Sequence, residues 1–191
     1  PLWAPERYHY AAEQMMLTLF PGEKPEYPAE EPDINAGADC AVFALTPGHK
    51  TAVLSAALGW RGQTAAGHFG LSMADLQAAP ERVYHVVQHA LKMAFYRAGS
   101  ALLGGDLPWG ALTGVRPVKL PTRALLAGAT PLQAKRELEE EYRVSPDRAA
   151  LAVDCAQASI AAQRSLKEGE VSLYIGVPFC PTRCAYCSFV S

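Results

Sequence analysis

The sequence predicts an α/β protein in two parts: a mixed α+β region over residues 1–166, then the first strand and loop of a parallel α/β unit over residues 171–191. Three features lead to this prediction. Apolar residues recur at helical spacing along much of the chain, two apolar stretches flank a turn sequence near position 48, and a continuous apolar run begins at Val171. The length of 191 residues allows one complete core and part of a second.

The first predicted element is a helix over residues 8–19, followed by an exposed connection. The helix has one apolar face with the i, i+4, i+7, i+8 spacing, formed by Tyr8, Ala12, Met15, Met16 and Leu19. Residues 21–37 contain four prolines and five acidic residues against a single lysine. Such a segment buries little apolar surface, so we expect it to be exposed to solvent.

An antiparallel hairpin is predicted next. Residues 38–45 and 50–60 are rich in apolar side chains, and they flank the turn-forming sequence Thr-Pro-Gly-His at 46–49. No element is predicted for residues 61–79.

A long helix is predicted to begin at Pro80, because proline suits the first turn of a helix, where its missing N–H is not needed. Its apolar face is formed by Val83, Val87, Ala90, Leu91, Ala94 and Ala98. Gly99 is expected to end this helix. A glycine-rich loop follows over 103–110, and residues 111–120 are too interrupted by glycine and proline for one regular element.

Three helices are predicted for the rest of the N-terminal region. They are a short helix over 122–127, a helix over 132–142 that Pro131 opens, and a helix that begins at Pro146, with Ser145 as its N-cap, and runs to about residue 166. Residues 167–170 are interpreted as a hinge. The run over 171–177 is almost entirely apolar, which is typical of a strand covered on both faces in a parallel sheet.

Composition excludes several classes of protein. A net charge of −2 with 50% hydrophobic residues argues against a disordered chain and against a strongly basic nucleic-acid binder. The longest apolar run falls short of the ~18 residues of a membrane span, and the first residues lack the layout of a signal peptide. We therefore expect a cytoplasmic protein with no nucleic-acid partner and no membrane span. Because Ser191 directly follows the predicted strand and a cysteine cluster, we also expect truncation at the C-terminus.

The cysteines are the most informative residues. Cys180, Cys184 and Cys187 form a Cys-x₃-Cys-x₂-Cys loop after the predicted strand, whereas Cys40 and Cys155 are isolated and are predicted to be small buried hydrophobic residues. An odd number of cysteines with this spacing does not fit a disulfide framework. Thiolates bind iron–sulfur clusters, and three ligands to a cubane leave one iron open for chemistry.

Three other interpretations of the cysteine loop fit the sequence less well. A structural zinc site needs a fourth ligand, a Cys-x-x-Cys redox site leaves Cys180 without a role, and a ferredoxin needs a fourth cysteine.

His85 and His89 lie four residues apart on the long helix and could share a metal, but ordinary surface or half-buried histidines explain them more simply. The acidic run at 137–141 is interpreted as a solvated helix face.

The cysteine loop resembles the signature of the radical S-adenosylmethionine superfamily, which has this spacing and an aromatic residue before the last cysteine, here Tyr186. Residues 173–180, Leu-Tyr-Ile-Gly-Val-Pro-Phe-Cys, resemble the strand and entry loop of the oxygen-independent coproporphyrinogen oxidase group. Within that group the chain most resembles the coproporphyrinogen dehydrogenase branch, which has a separate N-terminal region and a similar sequence around 110–120. The resemblance implies that 171–191 begin a truncated radical-enzyme α/β barrel, whose active site lies at the C-terminal ends of the strands.

The resemblance also implies roles for individual residues. Cys180, Cys184 and Cys187 would ligate a [4Fe–4S] cluster, Tyr174 would contact the methionine part of S-adenosylmethionine, and Tyr186 would lie near its adenine. The family reaction oxidatively decarboxylates two propionates of coproporphyrinogen III to the vinyls of protoporphyrinogen IX. It implies a porphyrinogen substrate and a reduced flavodoxin- or ferredoxin-type electron donor, and it assigns no further catalytic residue within this chain.

Two residues depart from the family pattern. Gly176 stands where well-studied members have a histidine, and Phe189 stands where they have a fourth nearby cysteine. These departures keep open an alternative function as a haem- or porphyrin-trafficking chaperone of the same superfamily. A third interpretation makes the N-terminal region a module that docks an electron donor or another subunit.

Basic residues after the glycine-rich loop suggest a second functional site. Arg116, Lys119 and Arg123 follow Trp109, and their guanidinium and ammonium groups suit a ligand that carries several carboxylates. The alternatives are a basic contact between domains and ordinary surface.

Overall fold

The computed structural model describes residues 1–113, 116–176 and 180. These residues form four strands and six helices, which confirms the mixed α/β class. The strands are β1 (Leu2–Trp3), β2 (Cys40–Thr46), β3 (Thr51–Trp60) and β4 (Gln63–Ser72). The helices are α1 (His9–Leu19), α2 (Met73–Leu76), α3 (Pro80–Leu103), α4 (Lys119–Leu126), α5 (Pro131–Glu140) and α6 (Pro146–Ser165), and a single 3₁₀ turn (Glu6–Tyr8) precedes α1.

The strands form one sheet in the order β1-β2-β3-β4. The predicted hairpin of β2 and β3 is confirmed, with Phe43 opposite Ala56 in an antiparallel ladder. β1 extends the sheet by pairing parallel with β2. Residues 21–37 between α1 and this hairpin are largely exposed, as predicted.

Strand β4 is an element that the sequence did not predict. A two-residue turn of Arg61 and Gly62, both with positive φ, returns the chain so that Gln63 pairs with Trp60. Such turns match the twist of an antiparallel hairpin. The strand itself contains alanines and glycines, which have low strand propensity, so its apolar pattern is weak.

Helix α3 packs against one face of this sheet, α1 packs against α3, and these elements share the larger hydrophobic core. The buried face of β3 alternates along the strand, as expected for a sheet with one covered face: Ala52, Leu54, Ala56 and Leu58 are buried. Gly67 of β4 lies so close to α3 that a Cβ there would be 2.7 Å from the backbone nitrogen of Ala98. The missing side chain therefore lets the helix approach the sheet at this point.

Helix α3 extends one turn beyond the predicted end at Gly99. Gly99 is buried within the helix, where an added Cβ would meet the side chain of Leu19 at 2.5 Å. The helix ends instead at Gly104, which adopts the left-handed conformation with φ 75°. A glycine required for close packing was therefore interpreted as a helix stop.

Helices α4, α5 and α6 surround a second, smaller core. Its buried residues are Ala134, Leu138, Val144, Ala149, Ala152 and Val153. Helix α5 begins with a capping box, in which Thr130 and Gln133 each bond the backbone of the other. Helix α4 begins at Lys119 rather than at 122, and Ser145 precedes α6 without a side-chain capping bond.

The two isolated cysteines have different environments. Cys40 is buried, as predicted, and burial raises the pKa of its thiol. The prediction for Cys155 is wrong, because this residue is exposed. Since α6 is rich in alanine, its sequence does not distinguish the buried face, which contains Ala152 and Ala156, from the opposite face that carries Cys155.

The predicted strand over 171–177 does not form within the described residues. Residues 171–176 have no regular structure, and the side chains of Val171, Leu173 and Ile175 are 84%, 82% and 78% exposed. A parallel strand needs neighbouring strands and cover on both faces. The described part of the chain supplies neither to this segment. None of the helices described is long and apolar enough to span a membrane.

Replacing Tyr96 with phenylalanine is expected to lower the free energy of unfolding by about 1.5 kcal/mol. Tyr96 is fully buried on α3, and its hydroxyl accepts a 2.7 Å hydrogen bond from the backbone N–H of Leu107. Without the hydroxyl, that N–H loses its partner. Urea unfolding followed by circular dichroism measures the change. Tyr10→Phe is the control, because Tyr10 is 65% exposed, and equal effects of the two substitutions would contradict the prediction.

Candidate functional site

The cysteine loop lies almost entirely outside the described residues. Cys184, Tyr186, Cys187 and Phe189 are among the residues that are not described, and Cys180 is exposed to solvent. The part of the chain that is described contains no cluster of three or more metal-ligating side chains, which leaves the three-cysteine prediction untested.

The segment before the cysteine loop presents its side chains to solvent. Tyr174, predicted to contact S-adenosylmethionine, is 90% exposed, and Gly176 is also exposed. The described residues leave the phenol ring of Tyr174 accessible from several sides. The described residues therefore form no binding site for S-adenosylmethionine around Tyr174, and they do not obstruct one.

A cleft of about 550 Å³ lies between helix α3 and the segment that leads into helix α4. One wall is a single face of α3, since its residues recur at i, i+3, i+4 and i+7: His85, Gln88, His89 and Lys92. The opposite wall is formed by Leu112, Thr113, Arg116, Pro117, Lys119 and Leu120, and Tyr142 closes one end. This volume is within the usual range for small-molecule sites, about 300–1,000 Å³.

The cleft brings together three cationic side chains. Lys92 comes from α3, and Arg116 and Lys119 come from the opposite wall. Lys92 is partly buried and donates a 2.7 Å hydrogen bond from Nζ to the hydroxyl of Thr113. Burial lowers the pKa of this ammonium group, because a low-dielectric environment disfavours the charged form.

His89 lies at the junction of the two hydrophobic cores. Its ring contacts Phe69 of β4 edge to face at 5.2 Å and Tyr142 at 5.3 Å. A carboxylate oxygen of Glu141 is 3.2 Å from Nε2, but Nε2 has no hydrogen bond of good geometry among the described residues. Burial lowers the pKa of His89, and the positive charges of Lys92 and Arg97 lower it further. Because burial and the two cations all disfavour the protonated ring, we expect His89 to be neutral at pH 7.

The structure brings together only part of the predicted basic site. Arg116 and Lys119 share the cleft, while Arg123 joins them along a neighbouring groove on the surface of α4. Trp109 packs instead against the smaller core, with the guanidinium of Arg148 5.7 Å from its ring. Sequence reasoning missed Lys92, although it follows His85 and His89 at helical spacing. His85 is exposed and His89 half-buried, as predicted for ordinary histidines.

The free energy of unfolding is expected to fall as the pH is lowered through 6.5, the ordinary pKa of histidine. Because the folded-state pKa of His89 is lowered, the unfolded chain binds a proton that the folded chain excludes. This loss is absent well above pH 6.5, grows below it, and levels off beneath the folded-state pKa. Urea unfolding at pH 8.0 and 5.5 measures it.

The matched variants for this prediction are His89→Gln and His49→Gln. His49 lies in the exposed turn between β2 and β3, so its replacement should leave the pH dependence intact. His89→Gln should make the decline smaller. An unchanged decline in His89→Gln would show that another group causes it.

Comparison with curated proteins confirms the resemblance of this chain to the oxygen-independent coproporphyrinogen oxidase group. The chain is similar to the oxygen-independent coproporphyrinogen-III oxidase-like protein HemZ of Bacillus subtilis (strain 168), with 35% identity over 111 residues. The match covers 57% of this chain and 22% of the relative, so it spans about a fifth of that protein. No family model and no solved structure matches the chain.

The extent of this match bears on the N-terminal region. A match over 57% of the chain is several times longer than the segment 171–191 that carries the cysteine loop. Most of the matched residues therefore lie before Val171, in the region that contains the cleft.

Proposed function

We propose that this chain provides the N-terminal region and the cluster-binding loop of a radical S-adenosylmethionine oxidoreductase of haem biosynthesis. The proposed reaction is the oxygen-independent oxidative decarboxylation of two propionate side chains of coproporphyrinogen III to vinyls, which gives protoporphyrinogen IX. Each step would release one carbon dioxide, and one S-adenosylmethionine would be the oxidant, leaving as methionine and deoxyadenosine. The observation that carries the proposal is the Cys-x₃-Cys-x₂-Cys loop with Tyr186 before its last cysteine, in a chain similar to a coproporphyrinogen oxidase-like protein.

The donor set fits an iron–sulfur cluster. Cys180, Cys184 and Cys187 offer three thiols within eight residues, and Cys180 is exposed and therefore accessible to a metal. The three thiolates would hold the cluster and leave one iron open for the amino and carboxylate groups of S-adenosylmethionine. When bound, the cluster and S-adenosylmethionine supply the radical chemistry, and the protein supplies binding and orientation.

Two tyrosines are proposed to bind S-adenosylmethionine. Tyr174, with 90% of its surface accessible, is free to contact the methionine part, and Tyr186 would contact the adenine. The electron would come from a reduced flavodoxin- or ferredoxin-type protein in the cytoplasm.

Product analysis tests the proposal. The protein as the cell makes it is reconstituted anaerobically and incubated with coproporphyrinogen III, S-adenosylmethionine and a chemical reductant. Formation of the divinyl product, with loss of two molecules of carbon dioxide, is expected. A fully loaded cluster that gives no vinyl product would contradict the decarboxylase function.

A second candidate function rests on Gly176 and Phe189, which replace the histidine and the fourth cysteine of well-studied family members. It is a haem- or porphyrin-trafficking chaperone that retains the cluster fold. Transfer of bound haem to an apo-haemoprotein, in the absence of vinyl formation, would favour the chaperone over the enzyme.

A further inference from the structure

The cations of the α3–α4 cleft lack acidic partners. Among the residues described, no carboxylate oxygen lies within 4.0 Å of the charged nitrogens of Lys92, Arg116 or Lys119. The residues outside the description contain no aspartate or glutamate side chain. No acidic side chain that the description omits could therefore neutralise these cations.

Partial burial makes the absence of a partner costly. A charged group that is removed from water is normally paired or hydrogen-bonded, and Lys92 has only the neutral hydroxyl of Thr113 as a partner. Elsewhere in the described residues Arg82 pairs with Asp75 and Arg143 with Asp106, each at 2.8 Å, and neither of these arginines is in the cleft. Lys92 is therefore a partly buried cation without an acidic partner on the α3 wall, and the exposed cations Arg116 and Lys119 add positive charge on the opposite wall.

The walls of the cleft combine this charge with apolar surface. Met93, Leu112, Leu120 and the ring of Tyr142 line it. Gln88 and Thr113 add neutral polar groups. Glu141 lies beside His89 at one end, and both Glu141 and Glu137 act on Tyr142 there, but neither lines the cleft and the three cations outnumber them. This arrangement suits an organic ligand with an apolar body and several carboxylates, and three cations disfavour a metal ion.

We propose that the α3–α4 cleft binds carboxylate side chains of the tetrapyrrole substrate class, with Lys92, Arg116 and Lys119 as the groups that pair with them. This inference rests on the proposed function for the identity of the ligand. It gives the N-terminal region a role in recognising the substrate. Arg116 can form two parallel hydrogen bonds with one carboxylate, while the ammonium groups of Lys92 and Lys119 act as compact charges.

Titration of the whole chain with coproporphyrin III, a stable tetracarboxylate, tests the proposal through porphyrin absorbance and fluorescence. The double substitution Arg116→Gln/Lys119→Gln is expected to weaken binding at least about tenfold. The matched control is Arg136→Gln/Arg164→Gln, which removes the same charge from exposed positions on α5 and α6. An equal loss of affinity in both double variants would overturn the site, because it would reflect net charge alone.

Two further ligands show whether binding depends on the carboxylates, on the apolar ring or on negative charge of another kind. Coproporphyrin tetramethyl ester keeps the ring but has no negative charge, so its affinity should be low and insensitive to the double substitution. Tight binding of the ester would overturn the carboxylate assignment. Inorganic pyrophosphate should displace coproporphyrin only weakly. Tight binding of pyrophosphate, measured by calorimetry, in a chain that does not bind coproporphyrin would overturn the proposal and indicate a phosphate-bearing ligand instead.

The test is independent of the cluster. Lys92→Gln is a second variant, and thermal unfolding of each variant shows that loss of binding is not loss of fold. Cys184→Ala should bind coproporphyrin as the unmodified chain does. If the chain binds coproporphyrin through the cleft but forms no vinyl product, the cleft proposal is supported and the decarboxylase function is contradicted. If the protein forms the vinyl product but its binding of coproporphyrin does not depend on the cleft residues, the decarboxylase function is supported and the cleft proposal is overturned.

Discussion

Replacing Cys184 with alanine is expected to abolish assembly of the iron–sulfur cluster, because two remaining thiolates in this loop hold a cubane poorly. After anaerobic reconstitution with iron and sulfide, the unmodified chain should contain about four irons and four sulfides per chain, as a [4Fe–4S] cluster requires. The variant should retain little of either. Electron paramagnetic resonance of the reduced chain should show a cluster signal that shifts when S-adenosylmethionine is added, and the variant should show none.

Cys155→Ala provides the matched control for this experiment. Cys155 is a second exposed cysteine, but it lies on α6, away from the cysteine loop in sequence. Its replacement should leave iron and sulfide content unchanged. If the unmodified chain instead held one tightly bound zinc ion and no cluster, the radical-enzyme proposal would be wrong, and the three cysteines would form a structural site.

Gly67→Ala is expected to lower the free energy of unfolding by about 3 kcal/mol, at the upper end of the usual range for overpacking. The added methyl group would press against the carbonyl oxygen of Ala94 and lie 2.7 Å from the backbone nitrogen of Ala98. Both atoms belong to the backbone of α3, which cannot move as a flexible side chain can. The helix must therefore shift away from β4, which also loosens the core between them. Urea unfolding measures the effect.

Gly70→Ala is the control within the same strand. An added Cβ at Gly70 would have no heavy atom within 4 Å, so the substitution should change the free energy of unfolding by less than about 1 kcal/mol. Similar decreases in the free energy of unfolding at both positions would show that the close approach of α3 to Gly67 is not the cause. A neutral Gly67→Ala would show that α3 does not pack on β4 as described.

Local patterns account for the elements that the sequence predicted correctly. The turn at 46–49 lies between two apolar stretches, and the prolines at 80, 131 and 146 stand at the first turns of α3, α5 and α6. These signals depend on residues close together in the chain. These signals therefore predict the turn and the helix starts without knowledge of which distant elements pack against them.

The errors arose where distant contacts decide the outcome. Strand β4 has weak strand propensity and forms through pairing with β3 and cover by α3. Gly99 lies within α3 rather than at its end, and it needs to be glycine there because Leu19 of α1 fills the space that a Cβ would take. The apolar run over 171–176 has the composition of a buried strand, yet it forms none where the described residues offer no neighbouring strand.

The two candidate sites differ in the same way. The cysteine loop can be recognised from the sequence alone, because thiols spaced four and three residues apart could reach one metal site without help from distant elements. The sequence also indicated Arg116 and Lys119 as a basic pair. That Lys92 and His89 face this pair is visible only in the folded protein, since their approach depends on how α3 crosses the segment before α4. The spacing of residues along the chain indicates which nearby side chains can act together. Whether a partly buried charge such as that of Lys92 has a partner depends on which distant elements pack beside it.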